Sequence, residues 1–233
     1  VCRTGRVYSP YVLDQYEQFR LVGMDHFNAM FEDATTKSWW RQENGEAIVG
    51  PRKGMQLKEL PSEQMMLEDW LALHPNSLVL QPDSNFKIKY DSLKGYDEGT
   101  IDGSLEHRDT SSWKMKSWIV GVQIKGVAKA YDWNILQHTR VIEDSTGGSY
   151  LLLTMLPNNK TFFVFSRKVH GRLLHCYYDA ASNILKDAET KSQWSLAGTC
   201  NSCAMQGQQL QTIQAYQEFW HSWKSFHPDT KIY

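Results

Sequence analysis

Short apolar runs separated by glycine turns fill the stretch from Trp118 to Tyr178 and predict β-strands. Trp118–Ile124 and Val127–Tyr131 flank Lys125-Gly126, where glycine supplies the positive φ of a tight hairpin. Val141–Asp144 and Tyr150–Met155 flank Gly147-Gly148, and Thr161–Arg167 and Arg172–Tyr178 flank Gly171. The period changes at two places. Met66, Trp70 and Leu73 stand at i, i+4 and i+7, as do Phe219, Trp223 and Phe226, and each set makes the apolar stripe of a helix. Both helices are expected to stop at a His-Pro pair, His74-Pro75 and His227-Pro228, because proline disfavours helical geometry in the residue before it. Ser62 is the expected N-cap of the first.

The two helices belong to a longer internal similarity. Asp33–Trp40 and Asp187–Trp194 agree at six of eight positions at an offset of 154. After one dropped residue, Gly45 meets Gly198, Gly54-x-Gln56-Leu57 meets Gly207-x-Gln209-Leu210, and Trp70-x-x-x-His74-Pro75 meets Trp223-x-x-x-His227-Pro228. Three blocks in register predict two copies of one unit. Val7-Tyr8-Ser9 aligns with Val164-Phe165-Ser166, and residues 19–24 align with 173–178 if the first copy's turn carries three extra residues. Nothing before Val1 matches Trp118–Leu156, so copy one is expected to lack about forty residues of strand, and the native chain to extend upstream.

The resulting expectation is an α+β fold: two repeated antiparallel β-rich units, each with one amphipathic helix near its C-terminal end. Residues 1–80 form the incomplete first repeat and 118–233 the complete second. Between them, 81–117 is polar, yet Phe86, Tyr90, Tyr96 and Trp113 give it anchors, so it reads as a packed connector.

Composition narrows the function classes. A net charge of −1, from 25 basic and 26 acidic residues, supplies no electrostatic footprint for nucleic acid. No apolar run reaches the roughly 18 residues of a membrane-spanning helix. Four cysteines are too few for a disulfide-built scaffold.

The string Phe19-Arg-Leu-Val-Gly-Met-Asp-His-Phe-Asn-Ala-Met-Phe-Glu-Asp33, then Trp40-x-Gln42-x-x-Gly-Glu-Ala-Ile-x-Gly50-Pro51-x-x-Gly54, then His74-Pro75, resembles a bacterial domain-of-unknown-function family, number 3179. Val120-Gly-Val-x-x-x-Gly-x-Ala-x-Ala-Tyr131 is similar to that family's opening hairpin. The resemblance implies no established activity. It implies an exported, periplasmic or envelope-associated protein, and a Cys-Pro-Leu-Cys-Gly-type turn after the central strand. Val1-Cys2-Arg3-Thr4-Gly5 resembles a remnant of that turn, and Asn158–Thr161 holds no cysteine there.

Three groups of residues carry candidate chemistry. Cys200-Asn-Ser-Cys203 has the spacing of a redox pair or of two metal ligands, although the aligned residues in copy one are Ala47 and Gly50. Cys2 with Asp25 and His26 offers a thiol beside an oriented imidazole, suited to an activated nucleophile or to copper. Trp39 has no tryptophan partner in copy two and is the candidate stacking ring for a sugar. His74 and His227 read as helix-end caps. Because the thiol and imidazole sets differ between copies, the leading expectation is a non-enzymatic envelope protein that binds a protein partner as an accessory subunit. Thiol-redox or copper handling is the alternative, followed by a carbohydrate-binding module.

Overall fold

The computed structural model describes residues 4–91, 95, 96, 98–101 and 107–233. Its first layer is a four-stranded antiparallel meander of β1 (Phe19–Asp25), β2 (Asn28–Asp33), β3 (Trp39–Arg41) and β4 (Ala47–Val49). Helix α1 (Leu67–Leu73) follows, then a short exposed helix α2 (Lys87–Asp91). The C-terminal half opens with β5 (Trp118–Ile124), β6 (Val127–Asp132), helix α3 (Trp133–Thr139) and the strands β7 (Val141–Thr146), β8 (Ser149–Met155) and β9 (Phe162–Ser166). A second four-stranded meander consists of β10 (Cys176–Asp179), β11 (Ile184–Asp187), β12 (Gln193–Trp194) and β13 (Cys200–Ser202). The chain ends with β14 (Tyr216–Phe219), α4 (Trp220–Phe226) and β15 (Lys231–Ile232).

The fold is β-rich with few helices and belongs to the α+β class. Two details differ from the sequence expectation. Sheet β14-β5-β6-β15 is mixed, because β15 pairs parallel to β6. Helix α3 follows β6 without a break, its start fixed by Asp132 accepting a hydrogen bond from the Asn134 amide at 2.7 Å. A helix entered directly from a strand leaves no glycine or proline to announce it.

The Leu151-Leu152-Leu153 run is explained by β8 being central and buried on both faces. Leu151 and Leu153 join Val120, Val122, Trp133 and Phe219 in one core, and Leu152 joins Phe165, Leu185, Trp194 and Leu210 in another. Alternate side chains of a strand point to opposite faces, so a strand between two cores must be apolar throughout. The first meander has only a small core, Val12, Trp40 and Ala47 with Phe19, Met55 and Leu57 against them. The helices differ in the same sense. Trp223 of α4 is fully buried, its ring so close to β5 that a Cβ at Gly121 would sit 2.3 Å from it. No residue of α1 is buried. Ser62 does not cap α1; Met66 holds that position, and Ser62 bonds Gln214 instead.

Several local structures recur in the two halves. Asp33 accepts hydrogen bonds from Thr36 N at 2.6 Å and Trp40 Nε1 at 2.9 Å, and Asp187 accepts from Thr190 N and, at 2.9 Å, from Trp194 Nε1. The His74 ring packs on Trp70 at 4.3 Å and the His227 ring on Trp223 at 4.0 Å. Both histidines therefore act through ring stacking; the last-turn carbonyls are met by their backbone N–H groups. The ladders also correct the alignment of 19–24. Phe19 pairs with Asp33 and Cys176 with Asp187, so Phe19 corresponds to Cys176 and the three extra residues of the first half fall inside its β1–β2 hairpin, not before it. Of the connector's anchors, Trp113 packs edge-on against Trp220 at 5.1 Å, whereas Phe86 and Tyr90 are exposed.

Gly45 and Gly198 share a left-handed backbone, with φ of +71° and +84°. A Cβ at Gly45 would lie 2.8 Å from the Tyr8 ring, and one at Gly198 2.7 Å from the Phe165 ring. Only glycine meets both demands. Gly198→Ala is expected to cost about 2 kcal/mol, measured by urea denaturation, from backbone strain plus overlap with a core ring.

Candidate functional site

Asp25 and His26 lie at the tip of the β1–β2 hairpin, where His26 and Phe27 both take positive φ, 48° and 67°. His26 Nδ1 is 2.6 Å from Asp25 Oδ1, and Arg41 Nε donates to Asp25 Oδ2 at 2.7 Å. Burial works against the Asp25 carboxylate, yet the hydrogen bonds from Arg41 and His26 outweigh it and hold its pKa below the usual range. The rings above it pack on α4: His26 on Phe226 at 5.7 Å and Phe27 on His221 at 5.5 Å. The hairpin tip is thus clasped to the C-terminal helix. Cys2, the third member expected here, lies outside the described residues.

Cys200 and Cys203 are both free thiols. Cys200 is buried in the core beneath β13, with its thiol donating to the Ser202 carbonyl at 3.3 Å, whereas Cys203 is exposed. Cys176 is buried too, and burial with the nearby Glu143 and Asp187 charges pushes its pKa up to about 12. That thiol has no reactive thiolate near neutral pH. Among the described residues, no group of three or more His, Cys, Asp and Glu side chains is placed to hold a metal ion.

Trp39 is 40% exposed, on the face of the meander opposite Trp40. Register places Arg20, Glu32, Trp39 and Val49 in one row across the four strands. Trp39 Nε1 donates to Glu32 Oε2 at 3.0 Å, and Arg20 Nη2 donates to Glu32 Oε1 at 2.6 Å.

Sequence reasoning missed a buried charge cluster joining the two halves. The Arg6 guanidinium lies 3.0 Å from Glu43, 3.1 Å from Glu218 and 3.7 Å from Glu59, and sits over the Tyr216 ring at 3.2 Å. The Tyr216 hydroxyl donates to Glu59 at 2.9 Å. His227 Nε2 is 3.1 Å from Glu43 Oε1, an ion-pair distance without hydrogen-bond alignment. These residues come from positions 6 to 227, with no local spacing to reveal them. The available hint is the alternation Tyr216-Gln217-Glu218-Phe219, which puts a carboxylate inside a strand run.

Three carboxylates share one guanidinium, so one of them retains a proton more readily. Burial pushes the Glu218 pKa up to about 7, and Glu43 adds to it while Arg6 and His227 oppose it. The unfolded value is the ordinary one near 4.5. A raised folded pKa means the native state holds the extra proton between those values. Its stabilisation is complete below about 4.5 and is lost as pH rises through 7, an effect on the order of 3 kcal/mol. Glu218→Gln is therefore expected to gain stability relative to the parent as pH rises from 5 to 8. Chemical denaturation at several pH values would show this, and parallel curves would refute it.

Beside this cluster lies an open apolar pocket of about 240 Å³, lined by Arg6, Tyr8, Phe19, Phe31, Trp40 and Leu57 among others. Among the described residues, the buried Arg6 Nε has no hydrogen-bond partner there. Comparison with protein-family models matches residues 1–230 to a family described as a protein of unknown function (DUF3179). The chain belongs to the DUF3179 family. No curated protein and no solved structure matches it. No helix of the DUF3179 chain, among its described residues, is long and apolar enough to cross a membrane. The features of this DUF3179 chain most suited to recognition are thus the pocket, the sheet edge beside it and the exposed face carrying Trp39.

Proposed function

We propose that this DUF3179 chain is a non-enzymatic binding or accessory subunit of the bacterial cell envelope. It is built from two copies of one unit. The observation that carries this reading is apolar surface concentrated on the first half. Tyr11, Leu13, Tyr16, Leu21 and Met24 are each more than half exposed. Large exposed apolar groups gathered on one region of a soluble protein mark a surface used by a partner. The recurring Asp-Thr-Trp bonds and Trp-His stacks support duplication, and the compartment rests on the family resemblance.

Photo-crosslinkers at Leu21 and Met24, in protein expressed in its native envelope, test the reading. One stoichiometric protein adduct is expected. A monomer that yields no adduct under native expression would remove it.

The row Arg20-Glu32-Trp39-Val49 favours a second reading, a carbohydrate-binding face, since a ring beside polar groups suits a sugar. Unchanged glycan-array binding in Trp39→Ala would dispose of it. A thiol or copper role through Cys2, His26, Cys200 or Cys203 predicts metal uptake or disulfide exchange, which metal analysis and thiol titration measure directly.

A further inference from the structure

We infer that the buried Glu218 is a proton-operated latch between the two halves: taking up a proton reverses the hydrogen bonds that run through Ser222 and Asn28, and the tip of the β1–β2 hairpin is released. The inference stands apart from the proposed binding role.

Glu218 lies on β14 and is fully buried. Its Oε1 accepts from Arg6 Nη2 at 3.1 Å, and its Oε2 accepts from the Ser222 hydroxyl at 3.2 Å. Ser222, on α4, is also fully buried, and its single hydroxyl hydrogen is committed to that bond. Its oxygen is therefore the acceptor on the other side, where Asn28 Nδ2 donates at 2.9 Å. This fixes the Asn28 amide, whose Nδ2 also donates to the His26 carbonyl at 3.3 Å. A core carboxylate is thus connected, through two buried side chains, to the backbone of the hairpin tip.

The tip needs that tie. His26 and Phe27 both take positive φ, 48° and 67°, and neither is a glycine. The three extra residues of this hairpin bring its rings onto Phe226 and His221 of α4, whereas its counterpart in the second half closes at Asp179 and Ile184. Asn28 Oδ1 points to a second arrangement. It is buried and, among the described residues, accepts no hydrogen bond. A buried acceptor left unpaired is destabilising.

A proton on Glu218 gives it a partner. Arg6 offers only donors, so the proton is excluded from Oε1 and goes to Oε2. Oε2–H then donates to the Ser222 oxygen, and the Ser222 hydrogen turns toward Asn28. The amide turns over, Oδ1 accepts that hydrogen, and Nδ2 leaves the His26 carbonyl.

The charged and titratable groups acting on Glu218 are Arg6 and Glu43 from the first half and His227 from the end of α4, with Tyr8, Glu59 and Tyr216 around Arg6. The paired strand β5 carries none. Burial and Glu43 outweigh Arg6 and His227, which places the change at about pH 7. The tip has titratable groups of its own, Asp25, His26 and His221, with Arg41 beside them.

Amide exchange of the 233-residue chain, followed by NMR at several pH values and corrected for intrinsic rates, tests the latch. Protection of Asp25 and Asn28, paired at the end of the hairpin, is expected to fall about fivefold from pH 8 to pH 5, the effect of one hydrogen bond. Its midpoint should coincide with that of the Glu218 carboxyl carbon shift in the same protein. Glu218→Gln should hold the tip released at both pH values, because its amide nitrogen donates to Ser222 as the protonated carboxyl does. Ser222→Ala should remove the pH dependence at the tip and, by linkage, raise the Glu218 midpoint, since the charged form loses a donor. A pH-independent tip, or two midpoints that differ, would overturn the inference without any variant. So would a pH dependence that survives in Glu218→Gln, which would assign the effect to His26 or His221, or one that survives in Ser222→Ala.

Discussion

Asp187→Ala is expected to destabilise the protein by about 4 kcal/mol and lower its melting temperature by roughly 10 °C. The side chain is fully buried and accepts hydrogen bonds from the Thr190 amide, the Thr190 hydroxyl at 2.8 Å and Trp194 Nε1 at 2.9 Å. Alanine leaves the indole N–H without its acceptor in the middle of a core, and a stranded buried donor costs more than the bond itself contributed. Burial pushes this carboxyl up, but the Trp194 and Thr190 bonds prevail and hold its pKa low. Its contribution is therefore present above the unfolded carboxylate range and is lost as pH falls through the folded value. Asp33→Ala should cost less, because the equivalent turn borders a smaller, open core. Calorimetric melting of both variants measures the difference, and equal losses would contradict the contrast drawn between the halves.

Arg6→Met is expected to cost about 4 kcal/mol at pH 8, because it leaves buried carboxylates facing one another without their counter-charge. Glu43 and Glu218 are 3% and 0% exposed at the side chain, so water offers little screening. The loss should shrink at pH 5, where Glu218 is protonated even in the parent protein. Adding Glu218→Gln should restore part of the stability, since it removes one repelling charge. Denaturation midpoints at pH 5 and 8 for the single and double variants measure this. A loss independent of pH would assign Arg6 a packing role over Tyr216 in place of an electrostatic one.

The strands around the glycine turns and the helices ending at His-Pro were legible because each signal is local. Period, turn residues and proline geometry act within a few positions. So was the exposure of Trp39 against the burial of Trp40, since neighbours on a strand point opposite ways. Helix α3 was not legible, because it follows a strand directly. Nor was the fate of Cys200-Asn-Ser-Cys203: a two-residue spacing brings thiols close in sequence, but the end of β13 sends one into the core and leaves the other exposed.

The sequence by itself determined the strands around the glycine turns, the two helices ending at His-Pro, the α+β class and the similar local turns of Asp33 and Asp187. Only the tertiary structure decided which surfaces those elements cover. The same amphipathic stripe becomes core in α4, where β5 lies beneath it, and stays open in α1. Burial of a stripe depends on a neighbour distant in sequence, and no local pattern records whether that neighbour is there. The Arg6 cluster follows the same logic, since its charges meet only when residues 6, 43, 59, 218 and 227 are folded together.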